Sequence, residues 1–182
     1  AVNTIIEQTN ELVRRLNRQV GRELLPEAQA LVPKTGRLPG VDGKSKMSKS
    51  QGNAIPLSAS PSDVQAAVQR MYTDPDHLRA SDPGQVEGNI VFVYLDAFDP
   101  DEEAVAELKS QYRRGGLGDM VLKRRLAGIL EETIAPIRER RAELARDPDT
   151  VMDVLRAGTA KATEITNKTK ELVVEGLGLF RL

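Results

Sequence analysis

The sequence contains no cysteine and a single histidine among its 182 residues. The absence of cysteine excludes disulfide bonds and thiolate metal sites. One histidine, His77, is too few for a catalytic or metal-binding cluster, and we interpret it as a surface loop residue. Aromatic residues make up only 3% of the chain, so RNA binding by base stacking on aromatic side chains is not expected. No long apolar run is present, and we expect a cytoplasmic protein that does not bind a membrane.

The net charge of −1 hides an uneven distribution along the chain. Residues 1–60 hold nine Lys and Arg against five Asp and Glu, a net charge of +4. Residues 61–112 carry −8 and residues 113–182 carry +3. The first segment is compatible with a triphosphate and with RNA, whereas the acidic segment should lie away from RNA and is interpreted as solvated helix faces.

The most informative motif is the pentapeptide Lys-Met-Ser-Lys-Ser at residues 46–50, which is followed by Gly52-Asn53. Two ammonium groups and two hydroxyls within five residues suit a triphosphate, since lysines supply charge and hydroxyls donate hydrogen bonds. Glycines beside the motif allow the backbone to approach a ligand and to move; they are Gly40, Gly43 and Gly52. The alternative, a solvated Lys/Ser surface loop, is typical of a bare Lys-x-Ser-Lys but does not account for the full string.

This pentapeptide resembles the second signature of the class I aminoacyl-tRNA synthetases, and the sequence around it is similar to that of the tryptophan-specific family. The similarity covers nearly all of the chain. The segments that carry it are Ile6–Glu11 with Val13–Asn17, Leu31–Lys34, Gly36–Leu38, Asp82-Pro83-Gly84, Gly115–Gly118 running to Lys123, Pro136–Arg140, and Gly158-Thr159 through Lys161-Ala162 to Gly176-Leu177. The tyrosine-specific relatives differ in the region after the loop, and a tyrosine enzyme remains an alternative.

The resemblance implies a two-step reaction: activation of tryptophan by ATP and transfer of the aminoacyl group to tRNA(Trp). It implies that Lys46 and Lys49 are catalytic and contact the phosphates, with Lys49 acting chiefly in the transition state. Magnesium would accompany ATP, and no protein metal site is expected. The residues implied to bind ATP are Leu38, Lys46, Met47, Ser48, Lys49 and Ser50.

Some of these residues have a second interpretation. Met47 is expected to fix the loop to the fold, and Leu38 is explained equally well by core packing. Lys44, just outside the motif, is interpreted as an exposed neighbour.

The first signature of class I synthetases, His-x-Gly-His or a relative of it, does not occur in the sequence. We therefore expect this chain to be the carboxy-terminal part of a longer enzyme and to be inactive alone. The homodimer typical of the family would form mainly through the amino-terminal half. A different class of function is also open: a non-catalytic RNA-binding or protein-interaction module of synthetase ancestry. The intact motif at residues 46–50 argues against it.

Three groups of basic residues could contact tRNA. They are Arg113-Arg114, Lys123-Arg124-Arg125, and Arg138 with Arg140 and Arg141. The favoured alternative is pairing at i,i+4 spacing with glutamates of the same helix. The acidic cluster from Asp96 to Glu103 matches no calcium-binding loop and is expected to be solvated.

The predicted fold is mainly α-helical: the last piece of a Rossmann-like nucleotide-binding domain at residues 1–60, then a helical anticodon-binding bundle at residues 61–182. Apolar periodicity predicts a first helix at residues 3–20. Residues 34–60 are rich in loop-forming residues. Leu31-Val32-Pro33 could be a short strand. Ser60, Pro61 and Asp63 form a typical helix start.

Further along, residues 89–98 have strand-like composition, but the resemblance implies a helix and we expect one. Asp119 can cap the next helix, which Pro136 should kink or divide. Two more helices are predicted at about residues 149–156 and 159–175, separated by Gly158 and ended by Gly176.

Overall fold

The computed structural model describes residues 2–32, 35–44 and 46–179, with residues 2 and 3 in backbone only. Within these ranges the regular elements are six helices and no strand, and the β-type pairing there is an isolated antiparallel bridge between Pro39 and Lys46. The helices are α1 (Val2–Val20), α2 (Pro61–Gln69), α3 (Ile90–Phe98), α4 (Glu102–Arg114), α5 (Asp119–Leu144) and α6 (Pro148–Gly176). The mainly helical prediction is confirmed. None of these helices, in the part of the chain described, is both long and apolar enough to cross a bilayer.

Residues 35–146 form one compact unit that contains the hydrophobic core. Helix α3 packs against α4 and α5, and α2 packs against α5. The most completely buried apolar side chains come from these helices and, for Met71, from the segment just after α2. They are Val64, Val68, Met71, Val91, Phe92, Tyr94, Leu95, Tyr112, Leu122 and Leu126. The predicted boundary near residue 60 falls inside this unit and stays a prediction.

Residues 1–34 and 147–182 form the second compact unit. The segment after α1 folds back along that helix. Asn10 of α1 holds it there by exchanging two hydrogen bonds with the backbone of Ala28, at 2.7 and 2.9 Å. Asn17 accepts from the amides of Leu24 and Leu25 in the same way. Helix α6 has no buried residue. These side-chain-to-backbone hydrogen bonds therefore hold residues 24–28 against α1, and α6 is not among their partners.

The helix start at Ser60 is confirmed in detail. The Ser60 hydroxyl accepts from the Asp63 amide, and the Asp63 carboxylate accepts from the Ser60 amide, with Pro61 in the first turn. The helix at residues 90–98 is confirmed as well, and the Asn89 side chain caps it by accepting from the Val91 amide. Burial on several sides gives this β-branched segment its helical form, because tertiary packing overrides local preference.

Other expectations were wrong. Leu31 and Val32 lie outside any strand, with Leu31 almost fully exposed, while Pro33 is outside the described residues. The two helices predicted at residues 149–156 and 159–175 are one helix, α6. Gly158 does not end it, since its φ is not positive and one glycine costs a helix only about 1 kcal/mol.

Helix α5 also differs from expectation. Gly118, not Asp119, is its N-cap residue, and the Asp119 carboxylate instead accepts a hydrogen bond from the Tyr112 hydroxyl at 2.7 Å. Pro136 does not divide the helix. Beyond this proline, the Arg138 guanidinium donates to the Ala59 carbonyl and to Glu131, so the last turns stay attached to the core.

His77 is buried, so its interpretation as a surface loop residue was wrong. Its ring lies 4.5 Å from that of Tyr112, and its Nδ1 is 3.6 Å from Asp119 Oδ1. Burial, together with the hydrogen bond to Asp119, raises the pKa of Tyr112. The single histidine is therefore a buried residue that lies next to Tyr112 and Asp119.

The acidic cluster is only partly solvated. Asp96 and Asp101 are exposed, but Asp99 is buried and receives two hydrogen bonds from the Arg125 guanidinium, at 2.6 and 3.2 Å. These bonds hold the pKa of the Asp99 carboxyl below its usual value. Arg125 thus has a structural partner on the connection between α3 and α4.

Replacing Arg125 by alanine should lower the free energy of unfolding by about 2–4 kcal/mol, because a buried carboxylate loses its counter-charge. The adjacent, exposed Arg124 is the control, and Arg124→Ala should change it by less than about 0.5 kcal/mol. Urea titration measures both. Since the folded-state pKa of Asp99 is depressed, the pair stabilises at neutral pH and its contribution is lost as the pH falls below about 4. A pH-independent difference between wild type and Arg125→Ala would contradict this account.

Candidate functional site

The loop that carries the pentapeptide is narrow at its base. Pro39 and Lys46 form the antiparallel bridge, and the Val41 amide donates to the Asn53 carbonyl at 2.9 Å. The Gly43 amide closes a turn on the Gly40 carbonyl at 2.9 Å. Residues on the two sides of the loop are therefore fixed to each other by backbone hydrogen bonds.

The side chains of the pentapeptide divide between core and surface. Met47 is partly buried and packs against the hydrophobic core, as does Leu38. Lys46 and Lys49 are exposed, and the hydroxyls of Ser48 and Ser50 lie 2.9 Å apart. The loop thus presents its charged and hydroxyl groups on the surface while one apolar side chain attaches it to the fold.

An open cleft of about 310 Å³ lies beside the loop, lined by Arg37, Pro39, Gly43, Lys44 and Lys46. Three of these five residues are cationic, so the cleft suits an anionic group. Lys44 and Arg37 were not predicted as site residues, although both are basic and close to the motif in sequence. Lys49 and Ser50 are not among the residues that line the cleft, and Ser45 lies outside the described residues.

Asn53 lies at the centre of the loop and is 3% exposed. Its Oδ1 accepts a hydrogen bond from the Ser48 amide at 2.8 Å. Its Nδ2 is 3.2 Å from Asp42 Oδ1, 3.3 Å from the Lys46 carbonyl and 3.4 Å from Gln51 Oε1. In the sequence this asparagine follows the motif, and no function was predicted for it.

The base of the loop is also attached to α3. The Tyr94 hydroxyl donates to the Pro39 carbonyl at 2.7 Å. Burial, with a smaller contribution from the Asp42 carboxylate, raises the pKa of Tyr94 to about 12. The phenol is therefore protonated at physiological pH and remains a hydrogen-bond donor.

Most of the basic residues considered for RNA contacts have acidic partners. Arg138 pairs with Glu131 and Arg140 with Glu143 within α5. The spacings are seven and three residues, so the predicted pairing within the helix occurs but not at i,i+4. The other pairs are Arg113–Glu87, Arg114–Glu107 and Arg125–Asp99. Lys123 is buried and donates to the Gln69 carbonyl, while Arg124 and Arg141 are exposed.

The chain is similar to known proteins in sequence and in fold. A family model described as class I tRNA synthetases (W and Y) matches residues 3–135. The chain belongs to this family. Tryptophan–tRNA ligase from Clostridium longisporum is 48% identical over 177 residues, which cover 96% of this chain and 52% of that protein. The corresponding ligase from Lactococcus lactis is 45% identical over 180 residues, with coverages of 96% and 53%.

Solved structures of class I synthetases resemble the chain as well. Tryptophanyl-tRNA synthetase from Campylobacter jejuni, crystallised with ADP and tryptophan, superposes with a TM-score of 0.67 at 27% identity and covers 96% of this chain. The enzyme from Giardia lamblia gives 0.62 at 25% identity over 75% of the chain. The matched part is 53% of the first structure and 32% of the second. The chain spans about half the length of the curated relatives it matches.

Replacing Gly40 by alanine should disrupt the loop. A Cβ at this position would lie 2.2 Å from Asn53 Nδ2 and 2.7 Å from Asp42 Oδ1, so the Asn53 amide would have to move. We expect a loss of about 1–3 kcal/mol in the free energy of unfolding, as for other overpacked sites.

Gly36→Ala is the matched control, because a Cβ there meets no described atom within 4 Å; it should change stability by less than about 0.5 kcal/mol. Equal stability of the two variants in thermal or urea unfolding would show that Asn53 is not tightly enclosed.

Proposed function

We propose that the chain is part of a tryptophan–tRNA ligase, which activates tryptophan with ATP and transfers the aminoacyl group to tRNA(Trp). The observation that carries this proposal is the exposed Lys-Met-Ser-Lys-Ser loop beside a cationic cleft, in a chain whose relatives are tryptophan–tRNA ligases. The neighbour crystallised with ADP and tryptophan supports ATP and tryptophan as the substrates.

In this proposal Lys46 and Lys49 supply positive charge to the triphosphate. When the tryptophan carboxylate attacks the α-phosphate, negative charge accumulates on the departing pyrophosphate, and preorganised cations lower the energy of that state. Lys46 lines the cleft, and Lys49 lies three residues further along the loop. Lys44 and Arg37 add charge to the same cleft.

The hydroxyls of Ser48 and Ser50 lie 2.9 Å apart and are suited to donate hydrogen bonds to phosphate oxygens or to brace each other. Met47 attaches the loop to the core. We assign Leu38 to the neighbourhood of adenine by family resemblance, while its packing against the core supports a structural role at the same position.

Magnesium enters the proposal only with ATP. Among the described residues no group of three or more His, Asp or Glu side chains is placed to hold a metal ion. In this proposal Mg²⁺ would bind together with ATP and would supply charge neutralisation to its phosphates.

The domain organisation follows from the same proposal. Residues 1–60 would belong to the nucleotide-binding catalytic domain, and residues 61–182 to the helical domain that binds the anticodon. A cytoplasmic homodimer that forms through the other half of the ligase completes the proposal. Exposed arginines such as Arg124 and Arg141 are the candidates for tRNA contacts.

The proposal is tested with Lys49→Ala in the full-length protein. Tryptophan-dependent ATP–pyrophosphate exchange should fall by about 100-fold or more, since a charge that acts in the transition state is lost. Affinity for tRNA(Trp) should stay within about twofold. Lys161→Ala removes an exposed lysine of α6 and should leave both quantities unchanged.

An equal loss of exchange and of tRNA affinity in Lys49→Ala would overturn the catalytic assignment. Exchange that depends on tyrosine would favour the related tyrosine enzyme. Wild-type protein that binds tRNA but catalyses no exchange with either amino acid would favour a non-catalytic module.

A further inference from the structure

The Asn53 side chain bridges the first and third residues of the pentapeptide through one amide group. Oδ1 accepts from the Ser48 amide at 2.8 Å, and Nδ2 lies 3.3 Å from the carbonyl of Lys46. Both partners are backbone atoms of the motif itself. The orientation of the peptide units on either side of Met47 therefore depends on the Asn53 amide.

The chemistry of this position requires both an acceptor and a donor. Besides the Lys46 carbonyl, Nδ2 faces the Asp42 carboxylate at 3.2 Å. An aspartate at position 53 could accept from Ser48 but could not donate, and it would place a second carboxylate beside Asp42. An apolar side chain would remove the acceptor of the Ser48 amide and the donor that faces the Lys46 carbonyl.

The surroundings fix the amide in place. Asn53 is 3% exposed, and Gly40 lies so close that a Cβ there would be 2.2 Å from Nδ2. Gly52, which precedes Asn53 in the chain, has φ +64°. Its backbone amide donates a hydrogen bond to the Lys49 carbonyl at 3.2 Å and so closes the tip of the loop. The residue that closes the tip is therefore followed directly by the buried side-chain amide of Asn53.

We propose that Asn53 is a positioning residue for the Lys46–Ser50 loop: it holds the backbone of Lys46 and Ser48 so that the two lysines meet the triphosphate in one geometry. This inference rests on the proposed function, which gives the lysines their ligand. Asn53 does not touch the substrate. It acts by fixing, before ATP binds, the backbone from which the charges extend, and preorganisation of this kind acts mainly in the transition state.

The first measurement uses tryptophan-dependent ATP–pyrophosphate exchange by the full-length protein. Asn53→Ala should lower kcat by about tenfold or more while the KM for ATP changes by less than about threefold, because the lysines remain but are no longer held. Asn53→Asp should not restore kcat, since it lacks the donor. A rise in KM with unchanged kcat, or full activity in Asn53→Asp, would overturn the proposal.

Asn10→Ala is the matched control. Asn10 is also a buried asparagine, 6% exposed, and it also exchanges two hydrogen bonds with the backbone, but in the other compact unit. Its truncation should leave kcat within about twofold of wild type. An equal loss of kcat in Asn10→Ala and Asn53→Ala would show that general destabilisation causes the effect.

The second measurement does not depend on activity. Hydrogen–deuterium exchange of the full-length protein, followed by mass spectrometry, reports the Ser48 amide, which should exchange about tenfold faster in Asn53→Ala after losing its acceptor. The amides of α5 should keep their wild-type rates. Unchanged exchange at Ser48, or faster exchange throughout α5, would overturn the proposal.

The two measurements separate the two hypotheses. Wild-type protein without tryptophan-dependent exchange would refute the proposed function, whatever the variants do. The deuterium experiment would still decide whether Asn53 holds the loop. Activity in the wild type together with an unaffected Asn53→Ala variant would refute only the positioning role.

Discussion

Helix α3 lies against both α4 and α5, and five of its nine side chains are buried. Burial of each such side chain stabilises the fold by about 1.5–3 kcal/mol. Two hydrogen-bonded connections start at this helix or next to it: Tyr94 donates to the base of the pentapeptide loop, and Asp99, the residue after the helix, accepts from Arg125 of α5. The position of the loop therefore depends on the apolar enclosure of α3, although none of its apolar residues belongs to the candidate site.

Helix starts with a clear chemical pattern could be predicted from the sequence, and Ser60 with Asp63 is the best example. Segment 90–98 shows the limit of local patterns, because its β-branched and aromatic residues favour a strand and only family resemblance predicted the helix. Helix α4 received no prediction, although Asp101 caps it and acidic residues fill its first turn. Gly158 and Pro136 were predicted to interrupt helices, and neither divides one. Helix α6 continues through Gly158, and α5 continues past Pro136 to the turn where Arg138 contacts the core.

The residue types of the candidate site could be predicted from the sequence, but the contacts that hold its loop could not. Charge and hydroxyl content identified residues 46–50, because phosphate chemistry requires those groups. The functions of Asn53, Gly40 and Tyr94 could not be deduced, because each depends on contacts between segments whose spacing is set by the folded loop. The alternation of basic and acidic segments was likewise a poor guide to surface charge, since Asp99 and Arg125 neutralise each other across two helices.

The Tyr94 hydroxyl of α3 holds the base of the loop by donating a hydrogen bond to the Pro39 carbonyl. Asn53 holds the backbone at Lys46 and Ser48, and beyond them the Gly52 amide donates to the Lys49 carbonyl at 3.2 Å. Lys46 therefore extends from backbone that the Asn53 side chain holds, whereas the described hydrogen bond of the Lys49 backbone, to the Gly52 amide, lies within the loop tip itself. One short segment thereby carries two ammonium groups on differently supported backbone, and of these two described lysines only Lys46 has its backbone hydrogen-bonded to the buried Asn53 side chain.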